Sequence, residues 1–196
     1  MRKIVMYPNI ILRAVTPEIE VIDDKLQKEM DELTRVLTAS QLGAGLAAPQ
    51  IGLKRRFFGL KDRQKKIDIY INPTIVANYG QKVFPQLVGN NGESEDFLEG
   101  CLSFPDLYGT VKRWLKIEAV WQELEAGVLV DKKKIMSGFE AIVFQHELDH
   151  LDGVLFIDHI KEDQGKLYEW SGKEKVLIEV DEVIDREKSQ TLNSKL

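Results

Sequence analysis

The sequence predicts an α+β domain in which small antiparallel sheets surround a late metal-binding helix. Three observations lead there. An apolar stripe begins near Asp24, β-rich runs fill residues 56 to 130, and a second helical stripe near residue 146 carries two histidines. From Asp24, the residues Leu26, Met30, Leu33 and Leu37 recur at steps of four, three and four, which puts them on one face of a helix ending before Gly43. Between Arg56 and Tyr79, the pieces RFFGL and IDIYI read as strands leading into Asn72-Pro73. Residues 80–97, with Gly89-Asn90-Asn91-Gly92 inside them, read as a surface excursion. Leu115, Ile117, Ala119 and Trp121 alternate with polar residues, and Glu125-Ala126-Gly127 turns that strand into Val128-Leu129-Val130 as a hairpin.

The late helix is expected at about 138 to 152. Ser137 with Glu140 three residues on has the form of a capping box, and Gly153 supplies a stop. Phe139, Ile142, Val143, His146 and His150 fall on one stripe, expected to face the core. The charged end, around Val176-Leu177-Ile178, is expected to form a weak helix or strand and then fray.

At 196 residues, 43% hydrophobic and 30% charged, the chain fits one globular domain over 1–162 with a charged, partly flexible extension over 163–196. A net charge of −5 argues against broad capture of nucleic acid or anionic lipid, so neither nucleic-acid reading nor membrane binding is expected. No run reaches the roughly 20 apolar residues of a membrane span, and MRKIVMYPNI turns polar too early for a signal peptide. A soluble, cytoplasmic protein is expected. Cys101 is the only cysteine, which excludes an intramolecular disulfide and leaves packing, metal binding or nucleophilic attack as its task.

His146-Glu147-Leu148-Asp149-His150 is an H-E-x-x-H sequence. Four residues at about 100° each leave the imidazoles about 40° apart around the helix, so they can share one metal ion. Imidazole suits zinc, iron, cobalt or nickel, and Glu147 projects towards where an attacking water would sit, the place of a general base. A catalytic metal usually takes three protein ligands. Asp152, Asp158, His159 and Glu162 are candidates by position, His159 otherwise reading as surface or packing. Cys101, in Glu99-Gly100-Cys101-Leu102-Ser103, is the chemical rival. The stretch Gly43-Ala44-Gly45-Leu46-Ala47-Ala48-Pro49-Gln50 reads as an irregular loop whose small residues admit a substrate backbone, with Gln50 able to donate its amide to a developing oxyanion.

Together GAGLAAPQ at 43–50, EGCLS at 99–103 and QHELDHL at 145–151 resemble the three motifs of the peptide deformylases. VMYPNIILR, INP at 71–73 and GVLFID at 153–158 extend the likeness over about residues 3 to 160. The resemblance implies a deformylase-like fold and a metal held by Cys101, His146 and His150. That metal is usually ferrous iron in the family, with Zn2+, Ni2+ or Co2+ able to substitute. It implies Glu147 as proton shuttle, and Gln50 with the Leu102 N–H facing the formyl oxygen. The implied reaction hydrolyses the N-formyl group from the initiator N-formylmethionine of nascent polypeptides and releases formate, with the ribosome as a partner.

Gly45 and its neighbours would line the bound peptide, and Ala44, Ile142 and Val143 the mouth of the methionine pocket. Glu99, Arg113 and Asp149 match charged family positions and would tie the cysteine loop to the metal helix, Arg113 not acting as a substrate clamp. The long 80–97 segment departs from the simplest family members. Two other readings compete: a different H-E-x-x-H metallohydrolase with an acidic third ligand, and an inactive deformylase-like binding module.

Overall fold

A computed structural model describes residues 2–88, 92–172 and 174–185. Its centre is a five-stranded antiparallel sheet in the order β1-β2-β3-β8-β9. The strands are β1 (Gly45–Ala47), β2 (Phe57–Lys61), β3 (Ile67–Val83), β8 (Arg113–Glu125) and β9 (Val128–Ser137). Between β3 and β8 the chain forms β4 (Gln86–Val88), β5 (Ser94–Asp96), β6 (Glu99–Cys101) and β7 (Phe104–Gly109).

Helices cover both faces of the sheet, which is why β2 is a continuous apolar run rather than an alternating one. Phe57 points to α1 (Asp24–Ala39), where it joins Leu26, Met30, Leu33 and Leu37. Its neighbour Phe58 points to α2 (Phe139–Leu151), against Phe144 and Leu151. The Asp23 carboxylate caps α1 by accepting the Leu26 N–H at 2.8 Å. The β8–β9 hairpin turns on Ala126 and Gly127, both at positive φ (48° and 84°), as a two-residue loop requires.

At the start of α2 the structure departs from expectation. No side-chain cap forms there; the helix starts from Gly138 at φ 60°. Ser137 is instead the last residue of β9, its backbone paired opposite Lys116, and the Glu140 carboxylate goes to Lys134 Nζ at 2.6 Å. Phe139 is 57% exposed rather than core-facing, because it stands at the first turn, beyond the cover of the sheet. Gly153 does end the helix, at φ 70°, where a Cβ would lie 2.5 Å from the Arg13 carbonyl oxygen.

The excursion also starts later than expected, since β3 continues to Val83, paired with Arg113 of β8. The exposed β4–β5 ribbon follows, and residues 89–91 lie outside the described ones. Beyond α3 (Phe156–Glu162), β10 (Leu167–Ser171) pairs with β7, and β11 (Glu174–Ile178) pairs with β10. The resulting sheet, β11-β10-β7-β6, crosses the division expected at residue 162. Val183, in a helical turn over 180–185, is 1% exposed and packs with Leu107, Ile160 and Leu167. The fraying expected at the very end falls on 186–196, outside the described residues.

This cluster packs Leu167, Ile178 and Val183 against Leu107 and Ile160. Leu167, 1% exposed, is its anchor. Leu167→Ala is expected to lower unfolding stability by about 2–4 kcal/mol in urea titration, the cost of deleting a well-packed leucine. An unchanged midpoint would mean that the β10–β11 pair frays independently.

Candidate metal centre and active site

His146 and His150 stand one turn apart on the buried side of α2, 7% and 1% exposed, with ring centroids 5.0 Å apart. Cys101 comes to them from the end of β6, where the ladder to β7 shifts register and delivers the side chain sideways. Its Sγ lies 3.2 Å from His150 Nε2, and one donor atom from each of the three residues falls within 4.8 Å of the others. The acidic candidates lie elsewhere. Asp152 pairs with Arg56 at 2.7 Å, Asp158 with Arg13, and Glu162 is exposed. Among the described residues, only Cys101 joins the histidine pair in such a group.

A buried charge network fixes this arrangement. The His146 Nδ1–H donates to Glu99 Oε1 at 2.7 Å, which leaves Nε2 as the free donor atom. Glu99 receives Arg113 in a two-pronged pair, Nη2–Oε1 at 2.7 Å and Nε–Oε2 at 3.0 Å. Arg113 Nη1 reaches Asp149 Oδ2 at 2.6 Å, and the same oxygen accepts from His159 Nε2 at 2.9 Å. His159 is therefore neither a ligand nor a loose surface residue. Nothing in its local pattern signals this, since its partner sits on another helix.

The electrostatics suit a cation. Burial opposes ionisation of Glu99, yet the Arg113 and His146 charges outweigh it and hold the carboxyl well below its usual range. Burial likewise opposes a charge on His146, but Glu99 and Cys101 outweigh it and raise that imidazole well above its usual value. The centre thus favours positive charge at this point. His150 goes the other way, pushed down to about 3 by burial and then by the charge on His146, so its ring is neutral. A thiolate and two imidazoles form a donor set that fits zinc, iron, cobalt or nickel.

Glu147 is 3% exposed, and its Oε2 has no hydrogen-bond partner. Burial raises its pKa to about 7; the nearby Glu99 and Asp149 carboxylates add to the rise, while His146 opposes it. Opposite lies Gly45 of β1, where a Cβ would stand 2.5 Å from Glu147 Oε1. Gln50 follows in a 3-10 turn (Ala48–Ile51), its Oε1 accepting the Ala47 N–H at 2.8 Å. That bond turns the amide nitrogen inward, 3.4 Å from Cys101 Sγ and 3.3 Å from Ser103 Oγ. Leu102 lies in the turn between β6 and β7.

These groups open on a cavity of about 450 Å³, which Ala44, Gly45, Leu102, Ile142 and Val143 all line. Two residues absent from the sequence reading of the pocket, Phe97 and Phe139, meet edge to face across it at 6.1 Å. Phe97 sits in the excursion and Phe139 was assigned to the core, so neither carried a usable signal.

Comparison with known proteins follows the same lines. The family model of polypeptide deformylases matches residues 1–166. A peptide deformylase of Desulforudis audaxviator is 35% identical over 156 residues, 80% of this chain and 91% of its own length. One from Helicobacter pylori is 33% identical over 182 residues, 88% of this chain and 93% of its own. The crystal structure of peptide deformylase from Thermotoga maritima superposes with a TM-score of 0.66 at 31% identity, covering 81% of this chain and 97% of that one. An inhibitor complex of Plasmodium falciparum peptide deformylase gives 0.66 at 32% identity, with 83% and 93% covered.

Arg113, 2% exposed, bridges Glu99 and Asp149. Arg113→Met keeps the length and removes the charge, leaving the Glu99 and Asp149 carboxylates with only their histidine partners. The expected loss of stability is about 3–5 kcal/mol by chemical denaturation. A loss below 1 kcal/mol would show that solvent or a rearranged partner replaces the guanidinium.

Proposed function

The chain belongs to the polypeptide deformylase family, and on that premise we propose that Cys101, His146 and His150 hold its catalytic metal while Glu147, Gln50 and Leu102 carry the chemistry. As a member, it is a metal-dependent hydrolase that removes the N-formyl group from nascent polypeptides. One observation carries the assignment of residues: the three donor atoms lie together, and Cys101, His146, Glu147 with its unpartnered oxygen and Gln50 line one cavity. Ferrous iron is the metal proposed, with Zn2+, Ni2+ or Co2+ as substitutes. When bound, it supplies Lewis acidity, polarising the carbonyl and making water nucleophilic near neutral pH.

The chain's own groups do the rest. β1 is an edge strand of its sheet, so an extended peptide can lie beside it and continue the ladder, and Gly43 and Gly45 present no side chain to block the approach. The methionine side chain enters between Phe97, Ile142 and Val143. Water adds to the formyl carbon as Glu147 takes its proton at the carboxylate, and the carbonyl oxygen gains charge opposite the Gln50 Nε2–H and the Leu102 N–H. When the C–N bond breaks, Glu147 passes the proton to the departing nitrogen, giving a free amine and formic acid, which loses its own proton to water or to the amine as formate. A carboxyl group near pKa 7 is matched to both halves of that transfer. Nascent chains emerge at the ribosome, so the ribosome is the partner proposed and the cytoplasm the location proposed. Among the described residues, no helix is long and apolar enough to cross a membrane.

The test is formate release from formyl-Met and acetyl-Met peptides by metal-loaded protein. The formyl hydrogen fits where a methyl would crowd a close-packed site, so the formyl peptide is expected to dominate turnover. Comparable rates on both would sink the assignment.

Two variants separate chemistry from architecture. Glu147→Gln should retain stoichiometric metal and lose about 100-fold or more in kcat, because the shape stays and the proton acceptor goes. Gly45→Ala should lower kcat as well, by displacing the Glu147 carboxylate it would touch at 2.5 Å. Near-native turnover of metal-loaded Glu147→Gln would remove it as the base.

A further inference from the structure

Helix α3 meets the metal helix through two residues three apart. Phe156, buried, lies with its ring 6.4 Å from that of His146, and His159 donates from Nε2 to Asp149 Oδ2 at 2.9 Å. The helix is itself well fixed. Phe156, Ile157 and Ile160 are buried in the cluster that holds Leu107 and Leu167, and at its start the Asp158 carboxylate accepts the Leu155 N–H at 2.8 Å. The His159 side chain is 14% exposed, and its Nδ1 is buried with no hydrogen-bond partner among the described residues. The bond to Asp149 is therefore the ring's one polar tie among the described residues, and no step of the hydrolysis uses it.

What the bond does follows from the sharing of one oxygen. Asp149 Oδ2 accepts the His159 Nε2–H and also the Arg113 Nη1–H, the latter at 2.6 Å. The other contacts of that guanidinium, from Nε and Nη2, go to Glu99 at 3.0 and 2.7 Å. A guanidinium is planar and rigid, so the two carboxylates compete for its direction. A stronger pull from Asp149 turns Nε and Nη2 away from Glu99. His159 supplies a second donor to the Asp149 oxygen and relieves that pull. Glu99 then keeps its two-pronged partner, and its Oε1 stays where the His146 Nδ1–H meets it at 2.7 Å. We propose that His159 is a positioning residue for the metal centre: its hydrogen bond to Asp149 keeps Arg113 square on Glu99 and so fixes the ring orientation of His146. The inference rests on the reading that His146 is a metal ligand. It gives α3 a part in retaining the metal although that helix contributes no ligand.

The experiment loads the full chain with Co2+, whose visible absorption reports ligand geometry, and compares wild type with His159→Leu, His159→Asn and His159→Gln. Glutamine can place an amide N–H where the Nε2–H stands, asparagine is one carbon short, and leucine has no donor. The leucine and asparagine variants should shift the visible bands, speed the loss of cobalt to excess EDTA by about 10- to 100-fold, and lower kcat on a formyl-Met peptide with KM unchanged. The glutamine variant should recover the wild-type bands and most of both rates. Leu167→Ala, which loosens the same cluster and leaves the Asp149 bond in place, should keep the wild-type spectrum and cobalt loss. Where the leucine variant does not fold, asparagine against glutamine carries the comparison. A wild-type spectrum and loss rate in His159→Asn would overturn this inference alone, as would a glutamine variant as impaired as the asparagine one, or the same changes in Leu167→Ala. Failure of the wild type to bind cobalt would overturn the assignment of the ligands and this inference with it.

Discussion

The buried ion pair between Arg113 and Glu99 is the interaction on which the rest of the site depends. Arg113 opens β8, in the five-stranded sheet; Glu99 opens β6, in the other sheet; and each reaches α2, through Asp149 and His146 respectively. Taking these charges out of water is costly, and nothing apolar of similar volume would need that expense. What the pair provides is placement. A two-pronged guanidinium contact fixes distance and plane together, so the Glu99 carboxylate can fix the His146 ring in turn. Cys101 is two residues beyond Glu99 on the same strand, and its sulfur inherits that precision.

A second constraint is the closeness of backbone to side chain on the opposite wall. Gly45 lets β1 run against Glu147, and the 3-10 turn that follows bends the chain enough for Gln50 to bond back to Ala47. The helix is held to the sheet from the other side by Gln145, whose amide donates to the Trp114 and Ala141 carbonyls and accepts the Trp114 N–H at 2.8–3.1 Å. Reactive groups from three separate stretches thus meet because each stretch is anchored by its own polar contact. Burial alone would tolerate a slip of an ångström that catalysis would not.

What could be read from the sequence follows from how local each feature is. The α1 stripe, the turn at Ala126-Gly127 and the histidine pair are short-range patterns, and each is found where its spacing places it. The supposed capping box was also short-range, but the β8–β9 ladder claimed Ser137 first, an override that spacing cannot reveal. Long-range partners left no pattern at all. Spacing could not choose between Cys101 and the acidic residues as companion to the histidines; the family resemblance supplied that choice. His159 meets Asp149 only because α3 folds back on α2. β10 looked like part of a charged tail because its partner β7 lies some sixty residues earlier.

A count of buried charge says what kind of cation the centre calls for. With Cys101 as the proposed thiolate ligand, Glu99, Asp149 and Cys101 bring three negative charges; Arg113 returns one positive and the His146 imidazolium a second, while His150 is held neutral by burial. A divalent ion held by the two imidazoles would take the place of the His146 proton and offset the two negative charges then left, on the side of the site that opens to the cavity. Glu147 answers to the same charges. Burial raises its pKa to about 7 against the pull of His146, the Glu99 and Asp149 carboxylates add to the rise, and one of its oxygens has no partner among the described residues. The network that positions the three donor residues thus also keeps this carboxyl between its two protonation states.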